Sequence, residues 1–118
     1  MPDRGQRGDQ ADRDAEVRVN SGEQRLVVHV GGEMDVDRAP MLAEALHAAI
    51  RQPGGADEIV VDVAELLFCD SSGLNALITA QHEAKAHGCH ISLRAPQPQL
   101  RRLLELTGAD AFFSVTDT

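Results

Sequence analysis

The segment IVVDVAELLFCDSSGL, residues 59–74, passes from a buried-strand pattern to a helix start. Ile59, Val60, Val61 and Val63 form a short β-branched run that only Asp62 interrupts. Such a run reads as a strand covered on both faces, of the kind found inside a parallel sheet. Asp62 then needs hydrogen bonds at the strand's end, because an unpartnered carboxylate among apolar side chains is costly. Residues 64–68 read as a linker. Cys69-Asp70-Ser71-Ser72-Gly73-Leu74 puts a carboxylate and two hydroxyls where a helical pattern begins. Leu74, Leu77, Ile78 and Gln81 fall on one side of that helix, Ala76, Ala80 and Ala84 on another, and His87-Gly88 stops it.

Toward the N-terminus, Leu42, Ala45, Leu46, Ala49 and Ile50 recur at the spacing of one helical stripe. Asp37 is the expected capping side chain, Pro40 suits the first turn, and Pro53-Gly54-Gly55 is the expected stop. Before it, Glu16-Val17-Arg18-Val19 and Arg25-Leu26-Val27-Val28-His29-Val30 alternate about a turn-like Asn20-Ser21-Gly22-Glu23, which predicts a hairpin; Gly31-Gly32-Glu33-Met34-Asp35 is read as breaking its second strand. Residues 1–14 carry almost nothing apolar and are expected to be a disordered tail. Beyond the central segment, Cys89-His90-Ile91-Ser92-Leu93-Arg94 is a strand. Pro96-Gln97-Pro98 opens a last helix with Leu100, Leu103, Leu104 and Thr107 at helical spacing, and Gly108 caps it. Phe112-Phe113-Ser114-Val115 is a candidate edge strand. The expected order is ββαβαβα with a final β, which implies one α/β domain over residues 15–118.

At 118 residues the chain suits a single domain with one core. With three Phe and neither Trp nor Tyr, that core is aliphatic, and the side chains that most often anchor tight interfaces or stack on bases are missing. A formal charge of −8 argues against nucleic acid and anionic membrane as partners. The one basic doublet, Arg101-Arg102, is expected to be solvated rather than a contact patch. Cys69 and Cys89 read as reduced, buried thiols, because the charged N-terminal residues do not resemble a signal peptide; the expected compartment is the cytoplasm. No apolar run approaches the ~20 residues needed to cross a bilayer.

Chemistry concentrates at residues 69–74. A helix N-terminus favours negative charge, so a phosphoryl group would be well placed at Ser71; the plainer alternative is that Asp70 or Ser71 simply caps the helix. A hydrolase elbow, G-x-S-x-G, fails because Cys69 stands at its first glycine, and His82, His87 and His90 have no orienting acid by spacing. His82, His87, Cys89 and His90 match no zinc spacing, and Gly31-Gly32 and Gly54-Gly55 lack the frame of a phosphate-binding loop. No cofactor, metal or enzymatic activity is expected.

Two motifs in their order and spacing resemble the STAS domains of anti-sigma-factor antagonists, or anti-anti-sigma factors. Gly32-Glu33-Met34-Asp35 is similar to the family's G-E-[hydrophobic]-D. Val60-Val61-Asp62-Val63 with Phe68-Cys69-Asp70-Ser71-Ser72-Gly73-Leu74 is similar to its buried strand and D-S-[ST]-G-[hydrophobic] loop. Leu103-Leu104-Glu105-Leu106-Thr107-Gly108 resembles its closing segment, and the likeness spans about residues 15 to 116. The resemblance implies an α/β STAS (SpoIIAA-like) fold, a mixed β-sheet packed against α-helices. It implies that the unphosphorylated protein binds an anti-sigma factor that is a serine kinase, releasing the sigma factor. It implies that the kinase phosphorylates Ser71 and that a serine phosphatase reverses this. Asp35, Asp70, Ser71, Ser72 and Gly73 are the implied partner-binding residues, with Gly73 permitting close approach of a partner's backbone. Arg38, where members often carry Thr or Ser, and Gly108-Ala109-Asp110 depart from the pattern. The rival reading is a STAS-like structural subunit of a transporter or signalling assembly, without phosphorylation.

Overall fold

A computed structural model describes residues 16–21, 25–52 and 55–118. The expected tail, residues 1–14, the hairpin-turn residues Gly22 and Glu23, and the Pro53-Gly54 stop lie outside the described residues. Strands β1 (Glu16–Ser21) and β2 (Arg25–Met34) precede helix α1 (Ala39–Ile50). Strand β3 (Glu58–Cys69) runs into helix α2 (Ser71–Ala86), then come β4 (His90–Arg94), α3 (Pro98–Thr107), a 3₁₀ turn (Ala109–Phe112) and β5 (Ser114–Thr116). The sheet order is β1-β2-β3-β4-β5. Among the described residues β1 pairs antiparallel with β2 and the other three pairings are parallel, so each of those three needs a helical crossover.

The register lines up one apolar face. Val28, Val61, Leu93 and Val115 share a row, as do Leu26, Ile59 and Ile91. Leu42 and Leu46 of α1, Leu74 and Leu77 of α2, and Leu100 and Leu104 of α3 close over that face as one core. The period of two sends the intervening residues to the other side, where His29, Asp62 and Arg94 stand in a row. Asp62 finds the partners its position demands. Its Oδ2 accepts from Arg94 NH2 at 2.8 Å and Nε at 3.2 Å, its Oδ1 accepts the Ala64 N–H at 3.0 Å, and the His29 ring lies 3.4 Å away. Partial burial pushes the Asp62 carboxyl up, but the Ala64 N–H and the Arg94 guanidinium, helped by His29, outweigh it and hold its pKa below the ordinary value.

Four expectations are corrected. Residues 31–35 do not break β2, which runs to Met34, and residues 64–68 are not a linker but the second half of β3. The two halves pair with each other, Gly31 against Glu65 and Met34 against Cys69, across two register shifts that scramble the period of two. Gly32, at φ 80°, occupies the left-handed region at one of those shifts, which a side chain would resist. The cap of α1 is not Asp37. Arg38 is the boundary residue and caps with no side-chain bond, while Asp35 Oδ1 accepts the N–H groups of Asp37 and Arg38 at 3.1 Å each. The last strand starts at Ser114, with Phe112 in the 3₁₀ turn. Arg101 pairs with Asp117 at 2.7 Å and Arg102 is exposed.

Candidate functional site

The end of β3 delivers the chain to the start of α2 through Asp70. Its carboxylate Oδ1 accepts the N–H of Ser72 at 2.8 Å and of Gly73 at 3.2 Å, which makes Asp70 the N-cap. Ser71 is thereby released from the capping role. It is the first helical residue, its side chain is exposed, and among the described residues none hydrogen-bonds to its hydroxyl. Ser72 beside it is half-buried.

Three contacts brace this junction. The Asp70 N–H donates to the Met34 carbonyl at 3.0 Å, tying the loop to the end of β2. Gln99 of α3 clamps Cys69 from the other side: its Oε1 accepts the Cys69 N–H at 2.9 Å and its Nε2 donates to the Cys69 carbonyl at 2.8 Å. Gly73 is buried between the strand ends, where an added Cβ would stand 2.7 Å from Cys69 Sγ and from Met34 Cγ. Glycine is therefore required at 73 by the protein's own packing. Gln99 was not singled out from the sequence, since a polar residue thirty positions from the strand it clamps carries no local signal.

Asp35 joins the site from the β2 side. Its Oδ2 accepts from Arg38 NH1 at 2.7 Å, and its Oδ1 is held by the backbone bonds already described. A shallow groove of about 410 Å³ runs between Val36, Ala39, Pro40 and Ala43 on one side and Ser72, Asn75, Ala76 and Thr79 on the other. Val36 is 66% exposed at its rim. The structure thus brings Asp35, Asp70, Ser71 and Ser72 to one end of the α1–α2 pair, beside an apolar furrow.

The other candidates disperse. Burial, with Asp70 adding, pushes the Cys69 thiol up to about 12, so it stays protonated and unreactive. Burial likewise raises Cys89. Both cysteines are free and buried. His82 stacks edge-on against Phe112, His87 hydrogen-bonds the Glu83 carbonyl at 3.0 Å, and His90 lies 3.7 Å from Glu58. Among the described residues no group of three His, Cys, Asp or Glu is arranged to hold a metal, and no helix is long and apolar enough to cross a membrane.

The family model described as "Mlab, STAS domain" matches residues 17–116. The anti-sigma-B factor antagonist of Bacillus subtilis is 32% identical over 92 residues, which span 78% of this chain and 82% of that protein. The crystal structure of an anti-sigma factor antagonist from Mycobacterium paratuberculosis superposes with a TM-score of 0.79 at 28% identity, covering 92% of this chain and 89% of that one. The Bacillus cell fate determinant SpoIIAA, solved in its phosphorylated form, has the same fold, with a TM-score of 0.67 at 22% identity over 85% of this chain and 90% of that one.

Proposed function

The chain belongs to the STAS-domain family, and on that premise we propose that it is an anti-sigma-factor antagonist switched by phosphorylation of Ser71. The observation that carries this reading is the division of labour at the head of α2: Asp70 takes the cap, and Ser71 presents an uncommitted, exposed hydroxyl. The partner is an anti-sigma factor with serine-kinase activity, bound by the unphosphorylated form. In the transfer, the Ser71 oxygen forms a bond to the γ-phosphorus of ATP, ADP leaves, and the hydroxyl proton is lost. A serine phosphatase reverses the step by hydrolysis. Asp35, Asp70 and Ser72 border the acceptor, and the furrow beside Val36 supplies apolar contact.

A phosphate adds about −1.5 to −2 charges. At a helix N-terminus the fold tolerates them, so the effect falls on the interface. A hundredfold loss of affinity requires about 2.7 kcal/mol, which repulsion or a clash at one packed contact can supply. The experiment is retention of proteins from native extract on the immobilised chain, with and without phosphate at Ser71. The reading expects an anti-sigma kinase on the unmodified bait alone. A partner held equally by both baits, with no phosphate acquired at Ser71, would instead support the structural-subunit reading.

A further inference from the structure

We propose that β1 is a docking edge for a second copy of this chain, which adds its own β1 antiparallel about a two-fold axis at Val17 and joins the two sheets into one. β1 stands at the end of the sheet order and pairs on one side, with β2. Among the described residues no other backbone hydrogen bond reaches residues 16–21. A strand so placed turns the N–H and C=O of every second residue outward, a template for another strand. The opposite edge is blunted by its length, since β5 has three residues. β1 has six, in unbroken register with β2 and with neither proline nor glycine among them. It also carries the apolar layer to its rim: Val19 continues the row of Val28, Val61, Leu93 and Val115, yet is 49% exposed.

Charge complementarity names the occupant and the register. Glu16 and Arg18 alternate with Val17 and Val19, so the charges take the face away from the helices and the valines take the core face. Two antiparallel copies keep like face with like in alternate registers. The register centred on Val17 sets Glu16 opposite Arg18 of the second copy and Arg18 opposite its Glu16, with Val17 against Val17 and Val19 on the diagonal. Centring on Glu16 or Arg18 puts like charges face to face, and centring on Val19 leaves both charges without an opposite. In the single chain Glu16 and Arg18 pair with each other at 2.9 Å while about half exposed, so turning them to the second copy forfeits little. A contact made by one short strand is small, and the association is correspondingly weak and concentration-dependent. β2 runs antiparallel to β1 and β3 parallel to β2, so the two-fold sets the two β3 strands in opposite directions. The two Ser71 loops then lie at opposite ends of the joined sheet, both uncovered. None of this depends on what Ser71 does.

The test is sedimentation of the full chain over a concentration series reaching about 1 mM, where even a weak dimer is populated. The average mass of the wild type should climb toward twice that of one chain. Glu16→Arg and Arg18→Glu each place like charges opposite one another, so each variant alone should dimerise at least about tenfold more weakly. An equimolar mixture of the two should recover the dimer, because every opposed pair is then of opposite sign. The double variant Glu16→Arg with Arg18→Glu should dimerise as the wild type does, a result that the Val17-centred register alone requires. Hydrogen exchange on the wild type gives a reading that needs no variant: amides at alternate β1 residues should slow as concentration rises. A wild type that stays monomeric throughout, including one whose own residues 1–14 cover the edge, would overturn the proposal. So would charge variants that dimerise as well as the wild type, a mixture that does not recover the dimer, or a double variant that stays monomeric while folded.

Discussion

Gln99 grips both backbone groups of Cys69, accepting the N–H at 2.9 Å and donating to the carbonyl at 2.8 Å, so a side chain of α3 acts as a one-residue partner strand for the end of β3. The residue so held lies two positions before Ser71. Presentation of Ser71 is therefore a property of three elements together: β2 through Met34, α3 through Gln99, and α2 through its own cap.

Gln99→Ala should leave the fold intact and loosen the loop. Two hydrogen bonds at roughly 0.5–1.5 kcal/mol each imply a destabilisation of about 1–3 kcal/mol. Amide hydrogen exchange at Cys69 should accelerate while that of Val61 changes only with global stability. Unchanged exchange at Cys69 would show that the clamp is not what orders the junction.

Gly73→Ala places a methyl group 2.7 Å from both Cys69 Sγ and Met34 Cγ. Overpacking of this kind costs typically about 1–3 kcal/mol, well beyond the helix propensity that alanine contributes in return. Thermal denaturation should show a lowered midpoint, and Cys69→Ala in the same chain should recover part of it by removing the sulfur. A Gly73→Ala protein as stable as wild type would mean that the strand ends yield easily.

Asp62 makes stability depend on acid. Its pKa is lower in the folded protein than in the unfolded chain, so its contribution is complete above the ordinary carboxylate range and is lost as pH falls through the folded value. Asp62→Asn should be less stable than wild type by about 1–3 kcal/mol at neutral pH. The gap should begin to narrow below about pH 4, where the unfolded chain's carboxylate takes up its proton, and close as pH falls through the lower folded value. Parallel pH–stability curves for the two proteins would contradict this.

Substitutions at the two serines separate acceptor from neighbour. Ser71→Ala should fold, keep binding the kinase and refuse phosphate, leaving a permanently active antagonist. Ser71→Asp carries part of the charge and little of the bulk, so binding should weaken without being abolished. Ser72→Ala should still accept phosphate. Peptide mass spectrometry after incubation with kinase and ATP distinguishes them, and phosphate on Ser72 of the wild type would reassign the acceptor.

The order of elements, the aliphatic core and the Ser71 loop were legible in the chain itself, because each is written in local terms. Val28, Val61 and Leu93 declare a buried face through β-branched runs and alternation, and Leu42 and Leu46 through helical spacing; Asp70 and Ser71 both offer capping chemistry ahead of Leu74 and Leu77, and the structure gives the cap to Asp70. Asp62 also announced its need for partners, since a carboxylate inside an apolar run has no cheap alternative. What tertiary structure alone decided are matters of pairing between distant segments. Residues 31–35 and 64–68 look like a break and a linker apart, yet residues 31–34 and 65–69 become strand against each other, their register shifts hiding the period of two from either segment alone. Gly73 acquires its meaning from Met34 and Cys69, and Gln99 from a strand thirty residues away. Asp35 displaced Asp37 as the anchor of the turn into α1 for the same reason: the extended β2 carries the chain further before it bends, and the carboxylate in reach of the orphan N–H groups is the one at the bend.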